Sequence, residues 1–155
     1  MNSDPFLNDE INSIIDLYCS GHIQESLEAV ELLINEYPEE SLLRNISGVI
    51  YKAVGQLEIA AKSFKKAVTI KPDFADAHFN LGLTFHELNQ LEDAKKSYKQ
   101  TLAIQKNYAK AHNNLGTIYR EIGQVEEAIN SYENAIAIQS DFAEAHNNLG
   151  NALNE

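Results

Sequence analysis

Apolar side chains recur along this chain at helical spacing and again at an interval of 34 residues. In the stretch 109–142 they stand at i, i+3, i+4 and i+7, which places them on one face of a helix, and a second such set follows. The phrase Ala-His-Asn-Asn-Leu-Gly at 111–116 returns unchanged at 145–150, and it returns at 77–82 with Phe79 in place of the first Asn. A fixed period of this length predicts stacked helical repeats.

We number the repeat so that Gly116 stands at position 8 of a 34-residue unit. The chain then divides into units 7–40, 41–74, 75–108 and 109–142 and a partial unit 143–155. Positions 8 and 20 are mostly small, whereas positions 11 and 24 are mostly aromatic. In chain order they read Ile14, Gly48, Gly82, Gly116 and Gly150 at position 8; Leu17, Tyr51, Phe85 and Tyr119 at 11; Ser26, Ala60, Ala94 and Ala128 at 20; Val30, Phe64, Tyr98 and Tyr132 at 24. Small residues at two positions let two helices approach closely, and the aromatics fill the space around that contact. The first unit is degenerate because Ile14 replaces its glycine.

Turn signals separate the two helices of each unit. Position 15 carries Gly21, Gly55, Asn89 and Gly123, which suit the residue just after a helix. Asp4 and Pro5 suit the cap and the first turn of an opening helix. The pattern predicts nine helices and no strand, at 5–19, 23–36, 39–53, 57–70, 73–88, 91–104, 107–122, 125–138 and 141–153. Each pair is a hairpin that cannot bury its apolar face alone, and stacking on the next pair solves this.

These residues resemble the tetratricopeptide repeat (TPR) family. The resemblance rests on Leu115-Gly116, Tyr119 and Ala128, which recur in most units, and on a proline at position 32 of the first two units. It implies an all-α fold, a right-handed superhelical TPR solenoid of antiparallel helix pairs that spans residues 1–155 as a single domain. It also implies a scaffold for protein binding.

The composition narrows the class of partner. Residues 1–40 hold ten acids and no Lys or Arg, whereas residues 41–155 hold 13 acids and 12 bases, which accounts for the net charge of −11. An acidic chain disfavours nucleic acid, because that binding needs clustered cations. The acidic end is either a solubilising cap or a docking patch for a basic partner. The sequence lacks an 18-residue apolar run, a signal segment and a second cysteine beside Cys19. We therefore expect a cytoplasmic protein without membrane contact.

An asparagine row is the main candidate for binding. At about 100° per residue, positions 4, 7, 8 and 11 share the core side of the first helix, and positions 2, 5, 6, 9 and 12 turn away from it. Position 6 carries Asn12, Asn80, Asn114 and Asn148, with Ile46 in the second unit, and Asn113 and Asn147 stand beside the row at position 5. An amide side chain both donates and accepts, so it can bind a passing peptide backbone. The alternative is that duplication copied a solvating residue.

The Asn-Asn-Leu-Gly phrase is also similar to the superhelical TPR region of O-linked N-acetylglucosamine transferases. That resemblance implies that Asn80, Asn114 and Asn148 hold an extended peptide in a concave groove. The neighbouring positions suggest a mixed apolar, amide and cationic lining made of Phe79, Lys110, Thr117 and Arg120. The Lys and Arg pattern by which some TPR domains bind C-terminal carboxylates is missing at position 5.

No pattern in the sequence resembles an active site. His78, His112 and His146 recur at position 4, but successive repeats hold them too far apart for one metal ion, so we expect packing and hydrogen bonds between helices instead. Neither a nucleophile turn nor a phosphate loop occurs. We therefore predict a non-catalytic peptide-binding module without cofactor or metal.

Two alternatives to this function stay open. The partial unit 143–155 leaves an apolar face unpaired, and we interpret the sequence as the N-terminal part of a longer protein, such as the recognition arm of a glycosyltransferase. The other alternative is a structural unit that forms homo-oligomers through helix 141–153.

Overall fold

The computed structural model describes residues 5–155, and all its regular elements in that range are α-helices. They are α1 (Pro5–Cys19), α2 (Ile23–Glu36), α3 (Ser41–Ala53), α4 (Leu57–Ile70), α5 (Ala75–Glu87), α6 (Leu91–Ile104), α7 (Ala109–Glu121), α8 (Val125–Ile138) and α9 (Ala143–Ala152). The all-α prediction is confirmed. Within residues 5–155, no helix combines the length and apolar character that crossing a membrane requires.

Helix boundaries agree with the predicted ones to within two residues. The first helices of later pairs begin two residues late because a turn precedes them: the Glu40 N–H donates to the Tyr37 carbonyl, and the Phe142 N–H to the Gln139 carbonyl, both at 3.1 Å. The predicted cap residue Asp4 lies outside the described residues.

The four predicted turn residues adopt the left-handed backbone conformation. Their φ angles are 86° at Gly21, 76° at Gly55, 57° at Asn89 and 77° at Gly123. Glycine takes this conformation without steric cost, and asparagine tolerates it better than most residues. The predicted turn residues therefore lie where the chain reverses direction between the two helices of a pair.

The chain forms two compact units, Met1–Pro72 and Asp73–Glu155. In the first, α4 pairs with α3, and α1, α2 and α3 share a core made of Leu7, Ile11, Ile14, Val30, Leu33, Ile34, Leu43 and Ile50. In the second, α5 pairs with α6, α7 pairs with α8, and α9 packs against both α7 and α8. The second unit carries all the predicted peptide-binding residues.

Glycine at position 8 is the contact point of the pairs α3–α4, α5–α6 and α7–α8, whereas Ile14 stands there in α1. A Cβ built on Gly82 would lie 2.6 Å from the ring of Tyr98, and one on Gly116 would lie 2.7 Å from the ring of Tyr132. Both tyrosines are fully buried. The absence of a side chain at position 8 thus sets how closely the two helices approach.

Candidate functional site

The predicted peptide-binding residues lie on α5, α7 and α9, the first helices of successive pairs in the second unit. We call the polar surface of these three helices the first-helix face. Of the predicted residues, Lys110 and Asn147 are exposed; Asn80, Asn114, Asn148, Thr117 and Arg120 are half-buried; Phe79 and Asn113 are buried. The asparagines at position 6 are therefore accessible to solvent. At position 5 Asn147 is accessible, whereas Phe79 and Asn113 are not.

The helical wheel predicted that Asn113 faces a ligand. This prediction is wrong, because Asn113 is 0% exposed. Its Nδ2 donates to Glu144 Oε1 at 2.9 Å and, more weakly, to Asn114 Oδ1 at 3.3 Å. Its Oδ1 accepts from Asn148 Nδ2 at 3.0 Å. Asn113 therefore links α7 to α9 and holds two neighbouring amides in place, instead of facing a ligand.

Phe79 occupies the same position in α5, and the prediction that it lines the peptide-binding groove is wrong for the same reason. It is 9% exposed, and its ring stacks on Tyr108 with centroids 4.9 Å apart and approaches Tyr98 at 5.8 Å. The helical wheel assumes that only one side of the helix is buried, and it therefore assigned position 5 to the surface. In a stack, a first helix packs on its own partner helix and also on the next pair, so position 5 belongs to the second contact.

The amide of Asn148 keeps an acceptor available for a ligand. Its Nδ2 is fixed by Asn113, while no donor among residues 5–155 reaches its Oδ1. The buried Asn113 thus orients the Asn148 amide, and it also holds the carbonyl end of Asn114. Two members of the position-6 row are pre-organised by a side chain that the peptide would never touch.

Charges on the first-helix face are largely paired within the fold. Arg120 Nε lies 3.8 Å from Glu155 Oε1, and His86 Nε2 lies 3.0 Å from both carboxylate oxygens of Glu121. Lys110 is exposed and forms no ion pair within the described part of the chain. The face therefore has little free positive charge with which to bind an acidic ligand.

Two equivalent tyrosines differ in how their hydroxyl groups are satisfied. The Tyr132 hydroxyl donates to Thr117 Oγ1 at 3.3 Å. The Tyr98 hydroxyl is buried, and no described residue offers it a hydrogen bond of good geometry. The reason lies at position 9, where α7 carries Thr117 and α5 carries Leu83. This mismatch was not predicted, although a comparison of positions 9 and 24 between the units would have revealed it.

Burial raises the pKa of the Tyr98 phenol far above its usual value. The amide of Asn114 opposes this increase, and the carboxylates of Glu87 and Glu121 add to it. These neighbours place the Tyr98 hydroxyl beneath the first-helix face, between α5 and α7. Because the folded state favours the neutral phenol, its contribution to stability is complete below pH 10 and falls as the pH rises above that value.

We expect opposite effects when the two hydroxyl groups are removed. Tyr132→Phe should lower the free energy of unfolding by about 1 kcal/mol, because it deletes a hydrogen bond. Tyr98→Phe should leave that energy unchanged or raise it by up to about 1 kcal/mol, because it deletes a buried hydroxyl without a good partner. Urea unfolding of both variants measures the difference. A loss of stability in Tyr98→Phe equal to that in Tyr132→Phe would contradict the assignment.

The repeated histidines bind backbone. His112 Nε2 donates to the Lys106 carbonyl at 3.1 Å, and His146 Nε2 donates to the Ser140 carbonyl at 2.9 Å. Both histidines form hydrogen bonds, but the prediction that these bonds join two helices is wrong, because both acceptors lie in the loop that precedes the helix. Among residues 5–155, no group of three His, Cys, Asp or Glu side chains is placed to hold a metal ion.

Comparisons with known proteins agree with this architecture. The chain is similar to a crystal structure of MamA, with 24% identity over 90% of this chain and 81% of that one and a TM-score of 0.85. It is also similar to TTC0263, a thermophilic TPR protein of Thermus thermophilus, with 22% identity, coverage of 92% and 78%, and a TM-score of 0.76. A third match is the first TPR of Spaghetti (RPAP3) bound to the HSP90 peptide SRMEEVD, with 21% identity, coverage of 74% and 90%, and a TM-score of 0.72. At these identities the matches establish the fold.

A comparison with curated protein sequences gives no significant match. The TPR repeat model, in contrast, matches residues 48–89, 83–119 and 116–155. Together these matches run through more than half of the sequence, and the fold agrees with the resemblance read from the 34-residue pattern. The chain belongs to the TPR repeat family.

Proposed function

We propose that this chain is a non-catalytic protein–protein interaction module that binds an extended peptide along the first-helix face. The observation that carries the proposal is the row of half-buried amides Asn80, Asn114 and Asn148 on three successive first helices. The first TPR of Spaghetti, which has the same fold, is described as bound to a peptide. Peptide binding is therefore the function that we propose to test first for this chain.

The spacing of the row suits an extended backbone. Packed helices lie about 8–10 Å apart, and an extended peptide advances about 3.3 Å per residue. One amide per repeat would therefore meet the ligand backbone at about every third residue. Backbone groups are the same in every sequence, so this mode of binding tolerates many ligand sequences. Side chains around the row would then supply selectivity.

The structure changes which neighbours can take part. Asn113 and Phe79 are buried and drop out as contact residues. Asn147, Lys110, Thr117 and Arg120 remain as proposed contacts, with Arg120 already close to a glutamate. We propose that the peptide is held chiefly through its backbone, and that strongly acidic tails are poor ligands.

Removing the three amides should weaken peptide binding by about tenfold or more, because at least two hydrogen bonds to the ligand are lost. The test uses an array of unstructured peptides of about 12 residues, which span about 40 Å when extended. The best binders are then titrated against the chain by fluorescence anisotropy. The variant replaces Asn80, Asn114 and Asn148 by alanine.

A matched control replaces Asn107 and Asn134, which are exposed asparagines of a loop and of a second helix. The control should bind as tightly as the unaltered chain, and both variants should keep the same helical circular dichroism. Equal affinity in the triple variant and the unaltered chain would remove the asparagine row from the proposal. An array without binders would remove the peptide-binding function.

A further inference from the structure

An exposed apolar patch lies between α1 and α2 in the first unit. The side chains of Phe6 and Leu32 are 58% and 71% exposed. Both line a shallow cavity of about 270 Å³ whose other walls are Glu10, Ala29, Leu33 and Glu36. We call the exposed residues Phe6 and Leu32, with the half-buried Ala29 and the flanking Glu10 and Glu36, the α1–α2 patch.

This patch is a departure from the repeat and not a product of it. Leu32 stands at position 26, where the other units carry Lys66, Gln100 and Asn134. Ala29 stands at position 23, where the other units carry Ser63, Ser97 and Ser131. The exposed position 26 is therefore polar in three units and apolar only in the first, whereas position 23 is buried or half-buried in all four. Solvation of an exposed helix position favours a polar residue, so it does not explain Leu32.

The charged residues on α1 and α2, the two helices that carry the patch, are all acidic. Residues 5–40 contain nine acidic residues and no Lys or Arg. Glu10 and Glu36, which border the cavity, form no ion pair among the described residues. A surface made only for solubility would need the carboxylates but not the exposed phenylalanine and leucine between them. An apolar centre with an acidic border is complementary to an apolar side chain flanked by cations.

We propose that the α1–α2 patch docks a basic amphipathic segment of another protein. A large apolar side chain of that segment covers Phe6 and Leu32 and fills the cavity. Lys or Arg residues on either side of it pair with Glu10 and Glu36. On a helix, cations three or four residues from the apolar anchor lie on the same face, which matches this arrangement. The site is independent of the first-helix face.

The probe is a synthetic helical peptide with leucine at i, i+3, i+4 and i+7 and lysine on both borders of that stripe. Two matched peptides replace the lysines by glutamate or the leucines by serine. Binding to the full chain is measured by fluorescence anisotropy at low and high salt. We expect the lysine–leucine peptide to bind and both matched peptides to bind at least about tenfold more weakly.

Variants of the chain test the residues. Leu32→Gln should weaken binding of the probe by about tenfold. Glu10→Gln with Glu36→Gln should weaken it less and should reduce its salt dependence. The controls are Leu153→Gln, at a leucine that is 64% exposed on the second unit, and Glu126→Gln with Glu127→Gln, at exposed acids of α8. Both controls should bind the probe like the unaltered chain.

Three results would overturn the proposal. The first is unchanged affinity in Leu32→Gln, and the second is an equal loss in the control variants, which would mean non-specific attraction. The third is self-association of the chain that Leu32→Gln abolishes, measured by sedimentation, because a second copy would then be the occupant. Since Leu32 is an exposed side chain, its replacement should leave the thermal unfolding midpoint unchanged, which separates lost binding from lost folding.

Discussion

Replacing Gly116 by alanine is expected to lower the free energy of unfolding by about 2 kcal/mol or more, whereas Gly150→Ala should leave it unchanged or raise it by up to about 1 kcal/mol. At Gly116 the added methyl group would lie 2.7 Å from the ring of Tyr132, which is fully buried and has no room to move aside. At Gly150 no atom beyond its chain neighbours and the backbone of its own helix lies within 4 Å of the same methyl group. There the only remaining effect is the better helix propensity of alanine.

Urea unfolding with circular dichroism detection measures both free energies, and Gly82→Ala serves as a second test because its methyl group would meet the ring of Tyr98 at 2.6 Å. We expect Gly82→Ala to follow Gly116→Ala. Equal stability of the Gly116 and Gly150 variants would show that the helices can separate without cost. That outcome would contradict the role of glycine at position 8 as the contact point between the helices of a pair.

Gly116 and Gly150 also mark the limit of what the sequence alone predicts about the fold. The 34-residue period and the turn residues predicted the helices, because both depend on local backbone chemistry and on apolar spacing. The phrase that contains Gly116 and Gly150 is identical in the two places, so local chemistry predicts the same role for both glycines. Their difference comes from Tyr132, which lies on the helix that follows Gly116.

The site was harder to predict than the fold for the same physical reason. A helical wheel ranks residues around one axis, and it correctly separated Leu115 and Gly116 from the half-buried Asn114. It misplaced Asn113 because the contact that buries this residue comes from α9, whose position relative to α7 no single-helix pattern contains. The lack of a good hydrogen-bond partner for the Tyr98 hydroxyl was not predicted, because that partner would have to come from a different helix.

Asn113 accordingly has a structural role that its twin in the next repeat does not share. Asn113→Ala is expected to lower the free energy of unfolding by about 2–3 kcal/mol, because it opens a cavity and removes hydrogen bonds to Glu144 and Asn148. Asn147 occupies the same position of the same phrase in α9 and is exposed. Asn147→Ala should therefore change the stability by no more than about 0.5 kcal/mol.

A double-mutant cycle with Glu144→Ala separates the hydrogen bond from the cavity. Glu144→Ala alone should cost about 1 kcal/mol, because it removes the main acceptor of the buried Asn113 amide, and the two changes together should cost less than the sum of the single changes by about the same amount. Thermal and urea unfolding provide the four free energies. If Asn113→Ala is as stable as Asn147→Ala, then α9 is not held to α7 by this amide. In that case Asn114 and Asn148 would also lose the support that orients them toward a peptide.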